Sequence, residues 1–363
     1  VRWTVVAICI ALLVASATGG VVLLIRNGTT ASTAPTPGAT TSLSTTLLAR
    51  PQTAGVSVDP AAATSVVDAV WPVREKALVG ADAATIRDLE TGPALEWDLA
   101  CYDGCQPTSA RPLDALRVFV PRQSSYPAAF LAEVRTVTND LSEPYIEMMI
   151  FTRASAALPW ILNFDTGYSE IPTMSEQPAA DSHGFDAAAP SFADVTISDL
   201  PSQLAAYWQY WKDNGAAPPG NNFGDGTWTD EWGQYISSYA QQLPQGLSED
   251  ATYTADPTQD GQWTFAIDDM IDGQLVDGMA LSCSTVRFTS AISAYPGFTI
   301  TQPADQSAWS YLLPAGSYSE LHRVGIHQSC FLLEPGTASI GVVGGNGGDT
   351  QVTGLPVGAA NTA

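Results

Sequence analysis

The side chains able to do chemistry in this chain are a few cysteines, two histidines close to one of them, and many scattered carboxylates. Beyond residue 100 stand Cys101, Cys105, Cys283 and Cys330. Cys101 and Cys105 bracket YDG, whose Asp-Gly pair favours a tight reversal, so a local disulfide is geometrically reasonable. Cys283 and Cys330 fall in two strand-like stretches and would join if those strands are close. The expected pairing is 101–105 and 283–330, which implies an oxidising compartment. Cys101 and Cys105 are one residue too far apart for a thioredoxin-type exchange motif. Cys9 follows the bulky Ile8 and is no convincing lipid-attachment site.

His322, His327, Cys330 and Cys283 suggest a zinc set, but two histidines five apart on one strand point to opposite faces. His183 falls in an expected loop. No G-x-S-x-G, H-E-x-x-H or phosphate-loop motif occurs, so neither catalytic residues, nor a cofactor site, nor a metal site is expected. Acids crowd the stretch from Asp256 to Asp277 and the segment NNFGDGTWTDEW, yet both miss the ligand spacing of a calcium loop. Asp-Gly pairs at 225, 260, 272 and 277 read instead as reversals. Glu96, Asp98, Glu133 and Glu147 fall on expected strands, where an inward acid among apolar neighbours could act as a base with a raised pKa. Tyr207, Trp208 and Trp211 share one helical stripe and read as core. Tyr210 and Trp228 are left over as ring faces able to stack on a ligand.

These residues must be positioned by two groups of elements. In the first, Val66, Val70, Val73 and Ala77 recur at helical spacing. Asp82 caps a second helix carrying Ile86 and Leu89, and Gly92 suits its C-terminal stop before the first strand. Period-two stretches follow at 115–121, 128–139, 144–153 and 158–165. The second group opens with helices carrying Leu204, Tyr207, Trp208 and Trp211, then Trp232, Ile236, Tyr239 and Leu243. Strands are expected at 262–268, 274–290, 307–314, 318–335 and 339–344, and GGNGGD (344–349) as a hairpin connection. Helices first and strands afterwards, twice, give an α+β class.

Residues 3–25 carry no charge and would span about 35 Å as a helix, enough for a retained transmembrane anchor. A Ser/Thr/Ala/Pro-rich stretch behind it reads as a tether. The expected division is 1–27 anchor, 28–63 disordered linker, 64–175 first domain, 176–197 connection, 198–356 second domain and 357–363 tail. The order of helices and strands in the first unit, opening WPVREKALVGADAATIRDLETG, resembles NTF2-like and cystatin-like domains. YPAAFLAEV, LLPAGSYSE and SIGVVGGNGGDTQVTG are similar to an actinobacterial family of membrane-anchored extracellular proteins without assigned function. That resemblance implies helices packed on a curved antiparallel sheet in each module, and carries over no catalytic residue.

Acidic residues number 37 against 14 Lys plus Arg, a formal charge of −23. Such a surface repels phosphate backbones, which argues against nucleic acid as a partner. From Asp213 onward the only basic residues are Arg287 and Arg323. Together these readings give a single-pass cell-membrane protein held through its N-terminal helix, with its C-terminal domains extracellular. Its expected role is to bind an envelope protein or a cell-wall component without catalysis. The alternative is an envelope isomerase or hydrolase using an acidic base in the first pocket.

Overall fold

A computed structural model describes residues 58–100, 109–120, 126–136, 145–168, 199–255, 263–271, 274–302, 312–334, 337 and 339–357. The expected anchor, most of the linker, Cys101, Cys105, His183, the connection at 176–197 and most of the strand at 307–314 lie outside them. Among the described residues no helix is long and apolar enough to cross a membrane. The longest, α1 (Pro60–Val79), carries Asp68, Arg74, Glu75 and Lys76 and lays an apolar stripe on a sheet. The membrane partner, the single-pass topology and the tethered role therefore gain no support from the fold, and they are set aside.

Asp59 caps α1 by accepting a 2.7 Å hydrogen bond from the Ala62 N–H, with Pro60 at the first helical position. Asp82 caps α2 (Ala83–Leu89) by accepting a 3.1 Å hydrogen bond from the Thr85 N–H, and the Thr85 hydroxyl donates to the same carboxylate at 2.6 Å. The sequence expectation fails next. Gly92 does not deliver the chain to a strand but opens α3 (Gly92–Ala100). Its φ of +58° belongs to the left-handed region, and a Cβ there would come within 2.9 Å of the Asn163 side chain. Pro93 then starts the helix, and Ala94 and Asp98, four apart, share its buried side.

The strands β1 (Leu113–Phe119), β2 (Ala128–Thr136), β3 (Tyr145–Arg153) and β4 (Ile161–Tyr168) form an antiparallel meander. Helix α4 (Leu200–Asn214), a π-turn (Thr227–Glu231) and α5 (Trp232–Gln242) come next. They precede β5 (Leu247–Ala255), β6 (Trp263–Ile271), β7 (Gln274–Ala294), β8 (Ile300–Gln302), β9 (Gly316–Leu333) and β10 (Ile340–Pro356). All ten strands belong to one open sheet ordered β1-β2-β3-β4-β10-β9-β7-β5, with β6 paired to β7 and β8 to β9. This overturns the expectation of two curled NTF2-like or cystatin-like sheets. Among the described residues β4 meets β10 at the pair Tyr168–Gly344.

Period two sorts the side chains into layers. On β2, Ala128, Phe130, Ala132 and Val134 pack with Val67, Val70 and Trp71 of α1. The alternate residues Ala129 and Leu131 join Met148, Ile150 and Phe164 against Met279, Leu281, Cys283, Cys330 and Leu332 of β7 and β9. The next residues on those two strands, Ala280, Val286, Phe331 and Leu333, turn the other way onto Leu204, Trp208 and Trp211 of α4. The order is helix, strands, strands, helix.

The run GGNGGD is strand rather than turn, lying within β10 and paired residue by residue with β9. Its glycines make room for rings. A Cβ on Gly345 would sit 2.6 Å from Trp228, and one on Gly348 would sit 2.9 Å from Trp97 of α3. Cys283 and Cys330 stand directly opposite one another on β7 and β9 and are joined by a disulfide, closing a separation of 47 residues inside the central layer. Loop-closure entropy makes that link worth about 2–4 kcal/mol. Replacing both cysteines by alanine should lower the urea-unfolding free energy by that order.

Candidate functional site

The chain buries an ionic cluster at the polar end of the face between α1 and the first strands. Arg74 lies on the stripe of α1 that also carries Val67, Val70 and Trp71, so the helix that packs the core must bring a guanidinium in with it. Only 1% of Arg74 is exposed. On β3, alternation places Tyr145, Glu147, Met149 and Phe151 on one face, polar at one end and apolar at the other. Met149 and Phe151 meet the α1 core, while Glu147 reaches the arginines. Asp165 pairs in register with Met149 and shares that face.

Arg74 donates from Nε to Glu90 Oε1 at 2.6 Å, and from Nη2 to Asp98 Oδ2 and Asp165 Oδ2, both at 2.6 Å. Its Nη1 lies 3.7 Å from Glu147 Oε2, beyond direct bonding. Arg111 takes up two further acids. Its Nη2 and Nε contact the carboxylate of Glu75 at 2.6 and 3.0 Å, its backbone N–H reaches the same group at 2.7 Å, and Nη1 bonds Glu147. The Arg111 guanidinium also lies over the rings of Trp71 and Tyr145. Two cations thus face five carboxylates: Glu75, Glu90, Asp98, Glu147 and Asp165.

That imbalance sets the protonation. Burial opposes the Arg74 charge, but Asp98, Asp165, Glu90 and Glu147 outweigh it and hold its pKa above the ordinary value. Burial, then the nearby Asp98, raises Glu90 well above the usual carboxylate range against the pull of Arg74. Burial and Glu147 push Asp165 up to about 8, although Arg74 favours its charged form. Tyr145 is raised by burial and by Glu147 and Asp165, so its hydroxyl stays protonated.

Two smaller networks follow, one within the second group of elements and one joining it to α3 of the first. Arg323 of β9 binds Asp349 of β10 through Nε and Nη2, each at 3.0 Å, and Glu249 of β5 at 2.9 Å, with the Tyr239 ring against its guanidinium. Arg287 of β7 makes a paired contact with Glu96 of α3 at 2.7 and 2.8 Å, and Thr350 of β10 donates to the same carboxylate at 2.8 Å. Burial works against the Glu96 charge, yet the hydrogen bonds from Arg287 and Thr350 leave its pKa below the usual value.

No protein-family model, curated protein or solved structure matches the chain. The resemblance to an actinobacterial membrane-anchored family and to NTF2-like domains is thereby corrected, since short structural motifs carried it and the sheet they implied is absent.

Of the four acids singled out from sequence, Asp98 and Glu147 come together around Arg74, while Glu96 and Glu133 do not. Glu133 pairs with Arg117 across β1 and β2, and Glu96 and Asp98 sit on a helix rather than on strands. Sequence reasoning missed Glu75, Glu90, Arg74, Arg111 and Asp165. Arg74 left a signal, a cation in phase with the buried stripe of α1. Trp228 stacks over Gly345 with its ring 6.4 Å from Trp232, and no described ring contact joins it to Tyr210. His322 is exposed beside Glu320, whereas His327 is buried among Trp208, Trp232 and Phe288. Among the described residues no group of three His, Cys, Asp or Glu side chains is placed to hold a metal ion.

Arg74→Met strands Glu90, Asp98 and Asp165 around a missing cation and should cost about 3–5 kcal/mol in urea unfolding at neutral pH. Arg74→Lys should fall between, because an ammonium cannot span three carboxylates as a planar fork does. Burial drives the His327 pKa down to about 3. The folded chain therefore holds fewer protons here than the unfolded chain, and this contribution, present above about pH 6.5, is lost as pH falls toward 3. Between pH 7 and 4.5 the stability of His327→Gln should improve relative to the parent by about 2–3 kcal/mol.

Proposed function

We propose that this protein is a proton-responsive scaffold, whose joint between the two strand groups is firm in mildly acidic surroundings and loosens as pH rises past neutrality. The observation that carries this reading is the position of Asp165. Its carboxyl belongs to the Arg74 cluster, and its backbone N–H donates to the side chain of Gln328 on β9 at 3.2 Å. The neighbouring Thr166 hydroxyl reaches the Gln328 carbonyl at 3.5 Å. Three residues beyond Asp165, Tyr168 makes the only β4–β10 ladder pair among the described residues. A carboxyl that sheds its proton near pH 8 therefore sits at the polar end of the seam that the central apolar layer and the contacts of α3 also hold together.

The charge balance gives the direction. With Asp165 protonated, Arg74 shares its donors among fewer negative groups. Once Asp165 ionises, it faces Glu147 and Asp98 within the same buried space. The buried position argues against a catalytic acid, since such a group must reach a substrate. Proton uptake from solvent, by contrast, needs only brief local opening.

In the unfolded chain Asp165 titrates near 4, so the folded form holds more protons between about pH 4 and 8. The associated stability is complete below pH 4 and disappears as pH rises through 8. From pH 6.5 to 8.5 the parent should lose about 2 kcal/mol, and Asp165→Asn, which keeps a neutral group there, should lose most of that slope. Hydrogen exchange at Tyr168 and Gly344, corrected for intrinsic rate, should quicken over this window in the parent alone. Parallel pH profiles for the two proteins would refute the reading.

A further inference from the structure

We infer that the Arg74 cluster is built around internal solvent, about two water molecules that carry hydrogen bonds between Asp165, Glu147 and Gln328; this rests on the proton-responsive reading above. Among the described residues four buried side-chain atoms of the cluster have no hydrogen-bond partner: Arg74 Nη1, Glu147 Oε2, Asp165 Oδ1 and Gln328 Nε2. They are two donors and two acceptors, belonging to side chains already tied to one another. An unmade hydrogen bond on a buried charged group is too costly to leave, and the ties among these side chains make the four neighbours.

The geometry favours water over direct pairing. Arg74 Nη1 and Glu147 Oε2 stand 3.7 Å apart, too far to bond and close enough to share one bridging oxygen. Asp165 Oδ1 belongs to a carboxyl whose other oxygen is fixed on Arg74 at 2.6 Å. Gln328, wholly buried, is held by the Asp165 N–H on its Oε1. That bond fixes which end of the amide is oxygen and leaves Nε2 as a buried donor without a partner among the described residues. A buried water makes about three hydrogen bonds, so four groups are more than one water serves and call for about two.

The ligand class follows from the mix of groups. A bare cation would be repelled by Arg74 Nη1 and Gln328 Nε2, and the described acids lack the placing of a metal cage. Water both accepts from those donors and donates to the carboxylates. While Asp165 is protonated at Oδ1, its O–H donates to the water. When the proton leaves for bulk solvent, the water reorients and donates to Oδ1 instead. The solvent thus gives Asp165 Oδ1 a partner in either protonation state, while the repulsion from Glu147 and Asp98 that follows ionisation remains.

The test is a crystal structure of the parent chain at a resolution that shows ordered solvent, grown once in ordinary salt and once with rubidium replacing sodium and potassium. Density within about 2.6–3.2 Å of Glu147 Oε2 and Asp165 Oδ1, with no anomalous rubidium peak, is the expected result. Direct side-chain contacts with no density between them would overturn the inference, as would a rubidium peak, which would mark a cation site. Carbon-13 titration of the Asp165 carboxyl in the same protein separates the two claims. A midpoint in the ordinary carboxylate range, with the solvent density present, would sink the proton-responsive reading and leave the water site standing.

Discussion

The burial of one guanidinium organises the first half of this molecule. A charged Arg74 inside the fold is tolerable only because carboxylates surround its planar fork, three bonded directly and Glu147 at 3.7 Å. The acceptors come from four places in the chain: the residue after α2, helix α3, and strands β3 and β4. Each contact therefore fixes the seating of one element. Glu90 sets where the chain leaves α2, and Asp98 sets the rotation of α3. Glu147 and Asp165 fix which face of β3 and β4 looks toward α1. The apolar contacts of Phe130, Met149 and Phe151 supply the larger burial energy, but such contacts tolerate sliding more readily than a 2.6 Å bond to a charged group does.

The second group of elements solves a different problem, the packing of large rings on both sides of a sheet. Strand β10 does this by giving up its own side chains. Trp228 lies over Gly345, Trp97 over Gly348, and the His327 ring beside Gly347. Glycine weakens a strand by backbone entropy and by the missing side chain. Here ring faces from neighbouring elements cover the bare backbone, and residue-by-residue pairing with β9 supplies the hydrogen bonds. Because Trp97 belongs to α3, the same strand receives the helix that carries Asp98. The aromatic packing of one group and the ionic cluster of the other thus share α3 as a common part, with Glu96 on Arg287 and Thr350 as its second fastening.

Local signals were legible where the physics is local. The cap Asp82, the stripe of α1, the helical face of α4 and the period-two stretches of β2 and β3 all act within a few residues. Asp98 and Glu147 stood out as acids among apolar neighbours, and both belong to the cluster. Nothing local marked Glu90 or Asp165 as partners of Arg74, since those contacts span 16 and 91 residues. GGNGGD failed for the same reason: glycine's low strand propensity is a local rule, while the rings that make glycine necessary come from far away. The expectation of curled sheets failed because, among the described residues, the pair Tyr168–Gly344 joins β4 to β10 in one open sheet, and no sequence pattern announces one bridge.

The chain's acidity and its buried networks belong to one electrostatic argument. A formal charge of −23 makes the compact state repel itself, more so as pH rises. Past residue 213 the fold spends both of its basic residues, Arg287 and Arg323, inside hydrogen-bonded networks, so neither is left as an isolated surface cation. The surface is accordingly left acidic while cations are concentrated where burial makes them most effective. Two buried groups then read pH with opposite sign: His327 disfavours strong acid, and Asp165 disfavours alkali. Their contributions oppose one another between about pH 4 and 6.5, so the fold is best balanced at mild acidity. Above neutrality nothing offsets the loss at Asp165, and the general repulsion adds to it. The weak point under that combined load is the β4–β10 joint, where one ladder pair and the contacts of Asp165 and Thr166 to Gln328 must hold what the central apolar layer alone would allow to slide.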